Sequence, residues 1–238
     1  MQERRLSPSF WRRIIGDIVR IMPFYSKMNK IMSLGFDQSV RRYGIMLLEG
    51  CKVCIDLGSG PGDSIVMLSR ACNYTVGVEP SPELAAMSLS RCKNVYCDIV
   101  ISVAEYLPFR VDSIDCVSSF FASRDFMSLD ESLRELSRVA TCKTVIGDIF
   151  LPSNPLIRIL ELAWVCLIVP LLALFFARKV WRSYTTICKT LRGWISADRL
   201  ASKLTFYGWS EQHVKSYVFG ALGVVYAARK GSRSNKRC

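Results

Sequence analysis

The feature that most constrains this chain is Ile55-Asp56-Leu57-Gly58-Ser59-Gly60-Pro61-Gly62-Asp63, an apolar run that passes directly into a glycine-rich turn. Glycines in such a turn let the backbone approach a ligand in conformations that a Cβ obstructs. A strand that ends this way and is followed by helical spacing opens a nucleotide-binding βαβ unit. Glu79 closes the next apolar run, Thr75–Val78, at the carboxyl edge of the expected sheet. A carboxylate about twenty residues after the turn suits the two hydroxyls of an adenosine ribose. Dinucleotide enzymes share that feature, but they use the turn to hold a pyrophosphate. Asp56 and Asp63 bracket this turn and make a poor anion site. A cofactor bearing an ammonium and a sulfonium fits the acidic surroundings better.

From Lys52 onward, short apolar runs alternate with helical segments, the pattern of a parallel sheet built from βαβ units. Strands are expected near Val53–Leu57, Thr75–Val78, Asp98–Ser102, Ile114–Ser119 and Thr144–Phe150. Helices are expected near 62–72, 82–91 and 130–139. Ser196 reads as the N-cap of a helix reaching Tyr207, followed by two final strands at Val214–Val218 and Val224–Ala228.

Charge narrows the partner. The net charge is +12, but residues 1–30 hold seven basic and two acidic groups and residues 178–238 hold thirteen and two. The stretch between them is acidic, the reverse of a basic groove over a catalytic centre, so nucleic acid is not the expected partner. The ten cysteines are scattered through apolar, strand-like stretches with no secretory leader before them. Reduced, buried thiols are the expectation; an intracellular disulfide stays open. Cys51 and Cys54 form a lone C-x-x-C with no second pair at matching distance, so no metal site is expected.

Two segments lean toward a membrane. After Ser7-Pro8, Phe10, Trp11, Ile14, Ile15, Ile18 and Val19 recur at helical spacing, with Arg12, Arg13, Asp17 and Arg20 on the other face. This is an amphipathic helix, either packed on the domain or lying in a lipid interface. Leu162 to Ala177 is uncharged, mostly apolar and interrupted by Pro170. It falls short of the ~20 residues that span a bilayer, and a buried helix or a membrane-dipping lid is expected. The division expected is 1–45 as N-terminal amphipathic and cap helices, 46–230 as the main domain with an insertion at about 154–195, and 231–238 as a basic tail suited to anionic lipid.

The third chemical element is Val103-Ala104-Glu105-Tyr106-Leu107-Pro108-Phe109, followed by an Asp112-Ser113-Ile114-Asp115 strand start. This segment resembles the middle signature of class I S-adenosylmethionine-dependent methyltransferases, in the branch of the ubiquinone/menaquinone biosynthesis C-methyltransferases. The resemblance extends to Tyr25-x-x-x-Asn29-x-x-Met32-Ser33-x-Gly35, to Phe121 through Arg124-Asp125, and to Pro152-x-Asn154-Pro155-Leu156. Tyr184 and Leu191-Arg192 fall where that family has a lid tyrosine and an Ile-Arg pair. The chain departs from the pattern at Pro61 (threonine in the family), Glu79 (aspartate), Phe120 (serine) and Asp125 (asparagine), and Ala140-Thr141-Cys142-Lys143 stands for a Lys-Pro-Gly-Gly turn.

The resemblance implies a Rossmann-like, seven-stranded methyltransferase sheet with helices on both faces, an N-terminal helix and a helical lid after the fifth strand. It implies S-adenosyl-L-methionine as cofactor. Gly58, Gly60 and Pro61 would line its methionine and sulfonium part with Asp56 beside them, and Glu79 would hold the ribose. Val103 and Ala104 would flank the adenine, Phe120 would sit beside the transferring methyl, and Tyr25 would cover the cofactor carboxylate. Arg124 would act electrostatically on the acceptor, with Tyr184 and Arg192 as lid residues that orient its ring; the lone His213 reads as structural. The acceptor implied is a hydrophobic, quinone-like molecule such as demethylmenaquinol, and the location cytoplasmic, peripheral at the inner face of the cell membrane with contact to anionic lipid. Two other readings stay open: a small or sterol-like acceptor, and a non-catalytic, membrane-associated subunit that binds the cofactor.

Overall fold

The Ser7 hydroxyl accepts the Phe10 N–H at 3.3 Å and caps α1 (Pro8–Ile21). The structure, a computed structural model, describes residues 5–230, so the basic tail at 231–238 lies outside the described residues. Two further helices, α2 (Tyr25–Met32) and α3 (Asp37–Met46), precede the first strand. Then β1 (Val53–Leu57), α4 (Ile65–Ala71), β2 (Tyr74–Val78), α5 (Pro82–Arg91) and β3 (Cys97–Val100) follow the expected alternation. Helix α4 begins later than expected, because Pro61 and Gly62, the latter at φ +90°, prolong the turn. After β4 (Ile114–Phe120) and α6 (Leu129–Val139) comes β5 (Ala140–Ile149). With neither proline nor glycine at 140–143, α6 runs straight into β5, which starts earlier than the sequence suggested. The chain closes with α10 (Ala197–Phe206), β6 (Glu211–Tyr217) and β7 (Leu222–Ala228).

The seven strands form one sheet in the order β3-β2-β1-β4-β5-β7-β6, with β7 antiparallel to both its neighbours and the other pairs parallel. Helices pack around this sheet, α4 on β2, α6 on β5, α10 on β6 and β7. The order reverses on either side of β1, and the carboxyl ends of β1, β2 and β4 open there onto a common crevice. The core around these strands is apolar and closed: Ile55, Leu57, Val117 and Val145 are all fully buried.

Two expectations are corrected. The insertion between β5 and α10 holds α7 (Pro155–Ala163), a π-helical segment at Trp164–Ile168, α8 (Val169–Phe176) and α9 (Tyr184–Arg192). The first three run on as one helix of 22 residues, Pro155–Phe176, long and apolar enough to cross a membrane by length and composition. Asn154 starts it eight residues before the apolar run, accepting the N–H groups of Leu156 and Ile157. The helix is not enclosed: Val165, Val169 and Ala173 are buried against the domain, while Leu167, Leu171 and Phe175 face outward. The thiols are also not uniformly reduced. Cys51–Cys116, Cys92–Cys97 and Cys166–Cys188 are disulfides, with Cα separations of 6.3, 5.5 and 4.9 Å, while Cys54 and Cys72 are free and buried. Strand periodicity shows that a cysteine is buried, but pairing depends on which neighbour the sheet sets beside it.

Candidate active site

The turn after β1 is held by its own backbone. Gly58 has φ +68°, and a Cβ there would lie 2.4 Å from the Ala122 Cβ; Gly62 has φ +90°, and a Cβ would meet the Ser88 Oγ at 2.7 Å. Both positions need glycine on two counts. Glu79, at the end of β2 and 3% exposed, clamps the turn from across the crevice. Its Oε2 accepts the Gly60 N–H at 2.9 Å and its Oε1 accepts the Ser81 N–H at 2.9 Å. Burial raises the Glu79 carboxyl above its ordinary range, and these two backbone bonds oppose the rise. Each oxygen keeps a lone pair for a further donor.

Opposite the turn, α1 and α9 form a roof. Trp11, Ile14, Ile15, Ile18 and Ile21 of α1 line the crevice with their apolar face. The helix is fastened by Asp17, buried, whose carboxylate accepts Ser183 Oγ at 2.8 Å and Thr186 Oγ1 at 2.6 Å. Of the two readings left open for this helix, packing on the domain is the one observed. A buried cation lies between floor and roof: Arg41 of α3 is 4% exposed, donates to Ser64 Oγ and stacks over the Phe121 ring at 5.0 Å. Its Nε has no hydrogen-bond partner, and no carboxylate ion-pairs with it among the described residues. A cleft with a hydroxyl-accepting carboxylate, Cβ-free turns and a buried cation without a counter-ion has the donor set for a zwitterionic adenosyl amino acid.

Comparison with known proteins agrees. Residues 55–143 match the model of a methyltransferase domain. A demethylmenaquinone methyltransferase of Roseiflexus sp. (strain RS-1) is 27% identical over 218 residues, covering 89% of this chain and 91% of that one. The demethylmenaquinone methyltransferase of Lactiplantibacillus plantarum is 26% identical over 224 residues, 88% of this chain and 93% of that one. Among solved structures, a SAM-dependent methyltransferase of Thermotoga maritima, described as a possible histamine N-methyltransferase, superposes with a TM-score of 0.61 at 16% identity over 93% of this chain and all of that one. The chain carries a methyltransferase domain and is an S-adenosylmethionine-dependent methyltransferase. Its resemblance is to the ubiquinone/menaquinone C-methyltransferase family.

Most residues singled out from the sequence meet in the methyltransferase crevice: Tyr25, Gly58, Gly60 and Pro61 on one side, Glu79, Val103 and Ala104 on another, with Phe120 and Arg124 lining it as well and Tyr184 in the roof. Two do not line it. Asp56 lies under the floor, 1% exposed, accepting Ser118 Oγ at 2.7 Å, and burial lifts its carboxyl to about 7 despite that bond. Arg192 is exposed at the C-terminal end of α9, a turn or two past the part of the helix that faces the crevice. His213 is exposed on the edge strand β6 with its ring 6.4 Å from Tyr43, outside the crevice.

Arg124 lines the methyltransferase cavity, but its charge is already engaged. It bonds Asp148 and the Phe121 carbonyl and ion-pairs with Asp125 at 3.5 Å. Burial opposes its charge, yet the Asp125 and Asp148 carboxylates outweigh burial and hold it above the usual guanidinium range. Only its Nε–H is unpaired. Tyr184 is 1% exposed with its hydroxyl unpaired, and burial pushes that phenol up to about 12. Tyr25 is raised by burial too, with Arg41 acting the other way. The bulky Phe120 fits where the family has serine because Gly44 and Gly147 give way: a Cβ at either would come within 2.8 Å of its ring.

Sequence reasoning missed Arg41 and Asp17. The one signal for Arg41 was its place on the Val40–Gly44 side of α3, where a burial pattern interrupts itself with a cation. Asp17 was read as part of the polar face, because only the docking of α9 turns that position inward.

Proposed function

We propose that this methyltransferase C-methylates the ring of an apolar quinol of the demethylmenaquinol class, working in the cytoplasm at the surface of an anionic membrane. The observation that carries the reading is the apolar roof that α1 sets over the cofactor side of the crevice. A ring with a hydrocarbon tail matches such a roof; a charged or sugar-like acceptor would be desolvated against it at a cost. The names of the relatives at similar length support the same class.

When bound, S-adenosylmethionine supplies an electrophilic methyl group on sulfur. The residues of the chain bind and align. Glu79 would accept the ribose hydroxyls, Arg41 would meet the amino-acid carboxylate, with Tyr25 covering it, and Val103 and Ala104 would flank the adenine. Gly58, Gly60 and Pro61 would line the methionine side, while Phe120 would exclude water beside the methyl group. On the acceptor side, the unpaired Nε–H of Arg124 and the Tyr184 hydroxyl hold a ring oxygen. Electron density from that oxygen would drive the adjacent ring carbon to take the methyl group, the C–S bond breaking to leave S-adenosylhomocysteine and the ring proton passing to water, so that the aromatic ring is restored.

The long helix Pro155–Phe176 supports interfacial contact. Leu156, Leu160, Leu167, Leu171 and Phe175 form an outward stripe. Lys27 lies 3.9 Å over the Phe176 ring, and Arg178, Lys179 and Arg182 follow directly. An apolar stripe ending in cations fits a bilayer with anionic headgroups.

Mass spectrometry of demethylmenaquinol incubated with purified protein and S-adenosylmethionine tests the reading. A single methyl gain on the ring is expected; turnover only with a water-soluble acceptor would overturn it. Cosedimentation with phosphatidylglycerol vesicles, reduced in Leu167→Glu/Phe175→Glu, tests the membrane contact.

A further inference from the structure

The long helix roofs a second chamber that the methyl-transfer reading does not use. Its wall is Met32 and Leu34 from the end of α2, Ile157 and Trp164 from the helix, and Phe219 and Leu222 from the approach to β7. The volume is about 240 Å³, against the ~150 Å³ that suffices to bind a benzene ring in an apolar core. Every lining residue is apolar except Glu161. That residue is 7% exposed, and neither of its carboxyl oxygens has a hydrogen-bond partner.

A carboxyl in such a place is unusual. Burying it ionised and without a partner is strongly unfavourable, so it resolves the conflict by keeping its proton. Burial pushes Glu161 up to about 9, with Arg158 opposing, so at neutral pH it is an acid with an O–H to give. A buried donor with no acceptor, set in an apolar chamber, is matched by an apolar molecule that brings one oxygen acceptor. The chamber also meets the first crevice: Met32 lines both, and Trp164 Nε1 donates to the Met32 carbonyl at 3.2 Å, fixing the partition between them. Leu160 both lines the chamber and belongs to the outward stripe, and Leu34 and Phe219 of the lining are exposed, so the chamber opens beside the apolar stripe.

We propose that this chamber is a second ligand site, separate from the methyl-transfer crevice, which takes an apolar ring or chain carrying one carbonyl or hydroxyl oxygen and binds that oxygen with the Glu161 carboxyl. If the acceptor is the quinol argued above, the molecule of this class at hand is the quinone itself, held beside the partition; that identification rests on the functional reading, whereas the site does not.

The test is calorimetric titration with dimethylnaphthoquinone, whose ring positions beside the carbonyls are both methylated, so that it neither accepts a methyl group nor adds thiols. The protein is saturated with S-adenosylhomocysteine. The expected result is binding that weakens by at least about tenfold in Glu161→Leu, the scale of one buried hydrogen bond, and stays within about threefold in Glu161→Gln, which keeps an N–H donor. A melting temperature of Glu161→Leu no lower than wild type shows that the variant is folded, since it removes an unpaired carboxyl. A Tyr184→Trp variant, which fills the first crevice, retains this binding. Unchanged affinity in Glu161→Leu, or loss of all binding in Tyr184→Trp, would overturn the proposal. Displacement by decanol supports the site and assigns it to chain lipids; binding that decanol does not displace supports it and assigns it to rings. Because binding is read directly, the result is independent of whether demethylmenaquinol is methylated.

Discussion

Replacing Glu79 by alanine tests the cofactor site most directly. The carboxylate is almost wholly buried and already accepts two backbone N–H groups at 2.9 Å, from Gly60 and Ser81. Its remaining lone pairs are what a ribose diol would meet, and each hydrogen bond to a charged group is worth about 1.5–3 kcal/mol. Water enters the space in the variant and recovers part of that, so the lower end applies: about 3 kcal/mol, on the order of a hundredfold in the Kd for S-adenosylmethionine. The turn also loosens, since the Gly60 and Ser81 N–H groups lose their partner, but relief of the carboxylate's desolvation offsets much of that cost in stability. Calorimetry on wild type and Glu79→Ala, with circular dichroism to establish folding, gives both quantities. The Glu79→Asp variant sharpens the test: the family residue is one methylene shorter and draws back from Gly60, so affinity should fall by about tenfold or less. A folded Glu79→Ala that binds within threefold of wild type would refute the assignment of the ribose to this residue and with it the orientation of the cofactor.

Other consequences are equally open to measurement. Arg41→Met should weaken S-adenosylmethionine about tenfold to a hundredfold by equilibrium binding while Arg41→Lys recovers part of the loss, because only a cation can answer the cofactor's carboxylate. Asp17→Ala removes the bonds from Ser183, just before α9, and from Thr186 within it, and should raise the KM for the acceptor and speed proteolysis within α1, with a smaller effect on cofactor affinity. Tyr184→Phe removes an unpaired buried hydroxyl, so its melting temperature should hold or rise while kcat/KM for the acceptor falls about tenfold. Asp56 gives a pH signature: its carboxyl is raised to about 7 in the native state, so the folded protein keeps a proton that the unfolded chain releases near pH 4. Its contribution to stability is therefore full below about pH 4 and lost as pH rises to about 7, at up to about 1.4 kcal/mol per unit. The difference in denaturation free energy between wild type and Asp56→Asn, followed over that range, should decline with this sign; a flat difference would show that Asp56 is not desolvated as described.

The sheet and its cofactor edge were legible in the sequence because both follow from local rules. Alternating apolar runs and helical spacing specify βαβ units, and a glycine turn after one strand with a carboxylate after the next specifies an adenosine site whatever surrounds them. Gly58 and Glu79 could be named for this reason, and the turn's need for glycine is borne out in the φ angles and the Ala122 contact. What the sequence could not decide were the relations between segments distant along the chain. Cys51 lies next to Cys116 only because β1 pairs with β4, and Asp17 turns inward only because α9, about 170 residues on, docks against α1. The same holds for Phe120, whose bulk is accommodated by Gly44 and Gly147 from two other elements, and for the apolar run near 162–177, whose buried and outward faces depend on the neighbours it packs against. Periodicity reports which side of an element is apolar, whereas the choice of partner is made by packing in three dimensions, where side chains far apart in sequence compete for the same space.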